Sequence, residues 1–530
     1  MHRPLLSRLL LALVLLLSAT IGVWAVYLRP PEQSAPDPPA DPAFLDPSLE
    51  ASHAEVERTC SACHGYPPPE IFPKVDWPRE VTRGFGFIRA SKKKSKEPIP
   101  SIARVTNYYQ NRAPETLPLL EQSKPGTPFG VQFERKGYRD ENIPLVPAIA
   151  NVRFVHLTDK TRLDVVACDM VSGKVMLLKP YEPSARPRII DQTISNPAHA
   201  EVVDLDRDGI NDLIVANLGI AYPSEDRLGS VVWLRGQSDG NFKKFTLADK
   251  LCRVTDVQAA DFDGDGDLDL VVAEFGREVN GSILWLENRT KDRDTPVFVP
   301  STLEARPGAS HVPVADLNSD GRPDFVAMIS QEHETVVAFV NQGNRQFDKQ
   351  VIYQAPHPGF GSTGIQLVDL DHDGDLDVLM TNGDTLDADL LRPYHGIQWL
   401  ENTGTYPFRY HHLTSMYGVS RAVAADFDGD GDLDIVATSF MPGPFYRELC
   451  HELNLDAVIV LEQTRPGQFV RHSLETDTCD HASCDVGDFD GDGKLDFVTG
   501  NTFLTNMRGS KPQIPDRDWI IIERNLGKAK

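Results

Sequence analysis

The chain has 530 residues, room for more than one domain, and its 53 Lys and Arg against 77 Asp and Glu give a net charge of −24. So acidic a balance argues against nucleic acid as a partner. Much of it lies in recurring aspartate loops, and six divalent cations bound there would bring the charge to about −12. The first 29 residues open with Arg3 and Arg8 and run into Leu9 to Leu28, twenty residues without a charge. At ~1.5 Å per residue, a helix of that length spans ~30 Å, the hydrocarbon thickness of a bilayer. Basic residues ahead of the run place the body of the protein on the periplasmic side of a bacterial membrane, or outside the cell. The run is long for a cleaved signal peptide ending at Val23-Trp-Ala25, which favours an uncleaved membrane anchor; export is common to both readings. Residues 30–47, rich in Pro, Asp and Ala, read as a stiff spacer.

Cys60-Ser-Ala-Cys63-His64 comes next. C-x-x-C-H is the attachment pattern of c-type haem: Cys60 and Cys63 form thioethers to the vinyl groups, and His64 takes one axial face of the iron. The two cysteines could instead form a redox pair. A small α-helical domain is expected over 48–125. Its end, Ile102 to Glu121, is similar to the C-terminal helix of class I cytochromes c. No Met occurs between His64 and Met170. The iron is therefore five-coordinate, ligated by His53, or ligated by a residue further along the chain. Lys92, Lys93, Lys94 and Lys96 read as a solvated basic loop.

From residue 127 to 530 the pattern is all β. The stretch Asp261-Phe-Asp-Gly-Asp-Gly-Asp-Leu-Asp269 returns, varied, with first residues at Asp204, Asp316, Asp369, Asp426 and Asp488, at steps of 53–62 residues. A period of that size marks a repeated structural unit. Positions 1, 3, 5 and 9 carry short oxygen-bearing side chains. They are Asp204, Asp206, Asp208 and Asp212; Asp261, Asp263, Asp265 and Asp269; Asp316, Asn318, Asp320 and Asp324; Asp369, Asp371, Asp373 and Asp377; Asp426, Asp428, Asp430 and Asp434; Asp488, Asp490, Asp492 and Asp496. Position 6 is Gly, which permits a sharp turn, and position 7 can offer a carbonyl. This is calcium chemistry, with up to six ions, since a hard cation takes its ligands from oxygen. An EF-hand would place Glu at position 12, where this chain has Val215, Val272, Ala327, Met380, Ala437 and Thr499 at the start of strand-like runs. Plain hairpin turns need Asp-Gly, but not four converging carboxylates that repel unless a cation sits among them.

Each repeat, as in Val254 to Leu303, reads as four short antiparallel strands, the pattern of a propeller blade. Residues 155–167 align without gaps on 203–215, with His156, Thr158 and Lys160 in place of the first three carboxylates and Asp164 retained. This blade without a metal raises the count to seven. After residue 525 only five residues remain, too few for an outer strand, so residues 129–136 are expected to close the ring by pairing with 519–525. Trp233, Trp285 and Trp399 recur in third strands and read as core. Of the five cysteines outside the haem motif, Cys450 is expected to bridge to Cys479 or Cys484, and Cys168 and Cys252 read as buried thiols.

These repeats resemble the FG-GAP/VCBS family of integrin-type seven-bladed propellers with calcium in hairpin loops. The chain as a whole resembles exported bacterial proteins of planctomycete type that join a short cytochrome c-like segment to such a propeller. Ser330-Gln-Glu-His-Glu334, Asn382-Gly-Asp-Thr-Leu-Asp387, 393–402 and Leu461-Glu-Gln-Thr464 carry the likeness. The resemblance implies an all-β seven-bladed propeller with calcium in six blades, a covalent haem c and a helical N-terminal segment, without a settled biochemical role.

With the aspartate loops on one face of the disc, the longer connections fall on the other. His199, Asp256, His311 and Arg421 each stand five residues before a loop and begin the inner strands at the channel mouth. Glu332, His333, Glu334, Asp384, Asp387, Tyr394, His395 and His481 lie in loops on that face. Imidazoles and carboxylates around a pore could bind a transition metal or hold a polar ligand. The leading expectation is electron transfer together with binding of a redox partner protein or polar ligand, on a chain tethered to the membrane by its N-terminal helix. A haem-dependent oxidoreductase using His311, His333, His395 or Asp384 is the alternative, and an adhesive propeller the third reading. No G-x-S-x-G nucleophile motif occurs.

Overall fold

The computed structural model describes residues 50–61, 65–90, 98–120, 129–143, 145–277, 279–386, 390–504 and 517–528. The expected anchor, the spacer, Cys63, His64, Lys92 to Lys96 and Asp387 lie outside the described residues. Among the described residues, no helix is long and apolar enough to cross a membrane. The chain forms two compact units, one of residues up to Thr59 with Phe72–Glu115, the other of Cys60–Ile71 with Thr116–Lys530.

In the first unit, helix α1, His53–Cys60, starts from a reciprocal cap: Ser52 N–H donates to Glu55 Oε2 at 2.8 Å and Glu55 N–H to Ser52 Oγ at 3.3 Å. Helix α2 is Trp77–Ala90, and α3, Ile102–Gln110, is capped by Ser101. The Arg104 guanidinium bonds Glu55 at 3.0 Å and ties α3 to α1. Trp77 stacks on Tyr109 with ring centres 3.8 Å apart, and Val56 and Val105 are fully buried. The helix expected to reach residue 121 ends at Gln110, capped by Asn111, with Pro114 just beyond to bar a further turn.

The second unit is a ring of seven antiparallel sheets. Inner strands are Ile149–Val155, Pro197–Val203, Val254–Ala260, Ala309–His311 with Val314–Ala315, Ser362–Val368, Val419–Ala425 and His481–Gly487, which begin blades one to seven. Pro313, with no N–H for the ladder, splits the inner strand of blade four. In the seventh blade, Val131–Tyr138 lies antiparallel to Ile520–Lys528, with Phe133 opposite Asn525 and Tyr138 opposite Ile520. First and last strands of the ring thus share one sheet.

Second strands such as Asp269–Glu274 are buried at every residue, because each blade is covered on both faces by its neighbours. The layers between blades are apolar; Ile214, Trp233, Val257, Leu270 and Leu286 share one of them. Each such side chain contributes about 1.5–3 kcal/mol of transfer free energy. Trp233, Trp285 and Trp399 are buried as third-strand core. The long connection of blade six contains helix α4, Pro444–Leu453. Cys60–Ile71 groups with the propeller, not with the helices, and a side chain at Gly359 would meet Ile71 at 3.6 Å.

Candidate functional site

The aspartate loops are built by their own carboxylates. Asp204 accepts from the N–H groups of Asp208 at 2.9 Å and Gly209 at 2.8 Å, and Asp369, Asp426 and Asp488 repeat the pattern. The glycines at position 6 hold φ of 84–98°, a left-handed turn that suits a residue without Cβ. The position-nine carboxylate is buried and joins the loop to the third strand: Asp212 accepts from Leu205 N–H at 3.0 Å and Gly236 N–H at 2.7 Å. In the loops starting at Asp204, Asp261, Asp369, Asp426 and Asp488, three carboxylate oxygens lie within 4.8 Å of one another. The Asp316 loop has Asn318 as its third-position oxygen donor. Burial pushes Asp212, Asp434 and Asp496 up to about 7. Both oxygens of Asp206 are buried without a hydrogen bond, with Arg235 3.5 Å away. An all-oxygen set crowded in this way fits a hard divalent cation.

Blade one differs. Asp159 accepts from the N–H groups of Thr161 at 2.8 Å and Arg162 at 3.2 Å, and Asp164 accepts from Tyr181 Oη at 2.7 Å. Its loop is closed by protein groups alone.

On the opposite face, every inner strand begins at the channel. His199 Nδ1 lies 2.9 Å from Asp256 Oδ1, and Asp256 Oδ2 accepts from Val312 N–H, in the next blade, at 2.8 Å. Burial works to raise the Asp256 carboxyl, but His199 and His311 and the Val312 N–H outweigh it and hold it well below the usual carboxylate range. Burial lowers His311 to about 4, against the pull of Asp256 and with Arg421 adding to the effect. The Arg421 guanidinium donates to Ile365 O at 2.8 Å.

Two residues further along the same strands lies a second tier, Arg153, Glu201, Gln258, Gln366 and Asp485, which the sequence reading missed. Arg153 bonds Glu201 at 2.5 Å, Asp485 accepts from Phe154 N–H at 2.9 Å, and Gln366 accepts from Ala424 N–H at 2.8 Å. Asp256, Gln366 and Asp485 thus share one device, an inner-strand side chain that receives a main-chain N–H of the following blade. The signal was present as period two: polar residues stand three as well as five positions before the loops.

Of the remaining candidates, Glu334, Asp384 and Tyr394 lie close enough to interact electrostatically, and Tyr394 adjoins His395. His333 lies 3.7 Å from Glu332 and is partly exposed. Glu334 is buried and accepts from Ser362 N–H at 3.0 Å, and burial pushes it up to about 7. Asp384 accepts from Leu386 N–H at 2.8 Å. His395 is fully buried with both ring nitrogens lacking a hydrogen bond, and burial, with Arg392, keeps it neutral. Its ring centre is 5.6 Å from that of Tyr394, which packs on His357 at 4.8 Å. His481, also buried, lies 3.2 Å from Glu475. In the helical unit, His53 Nδ1 and Tyr108 Oη share a hydrogen bond of 2.6 Å. Cys60 ends α1 and is half-buried.

A model described as FG-GAP-like repeat matches residues 204–272, 261–327 and 316–380. These spans reach from the loop of blade two to the second strand of blade five. No curated protein matches the chain. Among solved structures, the chain is similar to a candidate 6-phosphogluconolactonase from Bacteroides fragilis, at 12% identity and a TM-score of 0.40 over 62% of this chain and 85% of that one. The protein is a seven-bladed β-propeller in which residues 204–380 match FG-GAP-like repeats.

Proposed function

We propose that this propeller is a binding module that takes a polar ligand or a polar group of a partner protein at its channel mouth. The observation that carries the reading is the ring of charged and hydrogen-bonding side chains, in two tiers, opposite the aspartate loops. Arg421, His199, His311 and Asp256 offer donors and acceptors of both signs on rigid strands, where little ordering is needed to bind. Calcium in the six loops stiffens the opposite face, with the aspartates named above as ligands and Asn318 in the fourth blade.

The chain is also proposed to carry haem c through Cys60, Cys63 and His64, on the periplasmic side of a membrane. A bound haem would supply one-electron transfer, so the partner would be a redox protein. The support is the C-x-x-C-H pattern in a chain with an apolar N-terminus.

Titration of carboxylates, sugars and zinc or copper salts into the purified chain, read by thermal shift, tests the binding reading. At least one class should raise the melting temperature of the natural chain, and R421Q or H199A should abolish that rise. Equal responses in all three proteins, or none in any, would reject the channel as the site. For the haem, the exported natural chain should carry covalently bound c-type absorbance that C60A lacks; an exported chain without it would end that part.

A further inference from the structure

Helix α4 carries Cys450 on its buried side, fully shielded from solvent. Cys479, in the connection that leads to the inner strand of blade seven, is equally buried; its Sγ lies 3.8 Å from Asp456 O, and it is near enough to the Cys450 thiol to interact with it. Both belong to one apolar cluster with Leu391, Tyr417, Met441, Tyr446 and Leu455. Cys484, the other partner the sequence allowed, lies in a different layer, with Val436, Val460 and Phe497. Cys168 and Cys252 are buried among other groups.

We propose that Cys450 and Cys479 form a disulfide that clasps α4 onto the long-loop face. Two thiols lose two protons and two electrons and gain one S–S bond; a disulfide-bearing oxidant takes up both and leaves as its dithiol.

Backbone geometry agrees. Cys479 holds φ of 46°, the left-handed region that a non-glycine residue keeps only when its surroundings fix it. Its N-terminal neighbours already anchor the turn, since Asp477 N–H donates to Leu455 O at 2.9 Å, and Cys479 O accepts from Met441 N–H at 2.8 Å. The bridge would close a loop that contains the last turn of α4 and two strands of blade six, Asp456–Arg465 and Gln468–Thr476. The contact with Cys450 and burial both raise the Cys479 thiol well above its usual range, so in the folded chain it is a poor nucleophile.

The clasp reaches three blades. Tyr446 of α4 accepts from Leu390 N–H at 2.9 Å and donates to Thr385 O at 3.3 Å, both in the long connection of blade five. Blade six supplies the helix, and blade seven receives the bond through Cys479. Reduction would free α4 and, through Tyr446, the blade-five loop, while the aspartate face stays unchanged.

The full chain, purified without reductant, is unfolded in the presence of N-ethylmaleimide, digested and analysed by mass spectrometry. A cross-linked pair containing Cys450 and Cys479 is expected, with Cys168, Cys252 and Cys484 alkylated. Alkylation of both Cys450 and Cys479, or a bridge from Cys450 to Cys484, overturns the assignment. A C450S/C479S chain should melt like the reduced natural chain and below the oxidised one, with faster hydrogen exchange in 444–453 and 385–386 in both. Equal melting and exchange in the oxidised natural chain and the double variant would overturn the clasp even if the bond exists. None of these readings depends on ligand or haem.

Discussion

Glu334 places a carboxyl at about 7 where the unfolded chain has one near ~4.3, so its charge opposes folding at neutral pH. The folded form binds the proton more tightly, and stability from this group is present below ~4.3 and lost as pH rises towards 7. The Glu is nearly inaccessible, so solvent screens little of the effect, on the order of 3 kcal/mol. E334Q, which keeps an acceptor for Ser362, should therefore show a flatter stability curve between pH 4.5 and 7.5 in urea unfolding. An unchanged slope would mean that another group titrates there. Asp256 works the other way: its depressed carboxyl gives stability that is present above ~4 and lost only as pH falls through its folded value. Acid should then loosen the Asp256–Val312 link only after carboxyls of ordinary pKa have taken up their protons. D256A, which removes the acceptor from a buried N–H, should cost about 1–3 kcal/mol in denaturant unfolding at pH 7.

At the scale of the element, the aspartate loop is the most legible feature of the chain, because its glycines and carboxylates occupy fixed offsets that a turn around a cation requires. What the spacing did not disclose is the double duty of position nine, whose oxygens also receive main-chain N–H groups from the third strand. Excess chelator is expected to lower the melting temperature by several degrees, since each ion held at ~100 times its dissociation constant contributes ~2.7 kcal/mol. D371A should reduce bound calcium, measured by elemental analysis, by one equivalent while the other sites remain filled. Unchanged melting in chelator would show that the loops stand without ions. Helix α4 was not legible, because its apolar residues face only a local cluster and Gly443 gives no side-chain cap to announce it.

For the whole molecule, the seven blades could be counted because one altered copy, 155–167, keeps the apolar frame and Asp164 without the other three carboxylates. Propeller and FG-GAP-like repeats were thus readable, whereas the second channel tier was not, since polar residues alternating along a strand look the same whether they face a channel or bulk water. The split of Cys60–Ile71 from the helices depends on tertiary packing and had no local signal. Closure is a matter of one sheet: Phe133 of the first strand sits against Phe427 and Phe497, at 6.1 and 5.2 Å between ring centres. F133A should destabilise by about 2–4 kcal/mol in denaturant unfolding, and more than V470A on an exposed outer strand; an equal effect would mean that closure adds nothing to ring stability.

With calcium in the other six loops, as proposed, the loop of blade one, closed by Asp159, Thr161, Arg162 and Tyr181, would make the disc uneven in its response to the ion. Withdrawal of the ion leaves one sector with its turn intact, beside the sheet in which the chain's two ends of the ring meet. Amide protection after chelation should therefore fall off around the circumference from that sector, so that a nominally seven-fold object acquires a direction in which it comes apart and, on refilling, a place from which it is rebuilt.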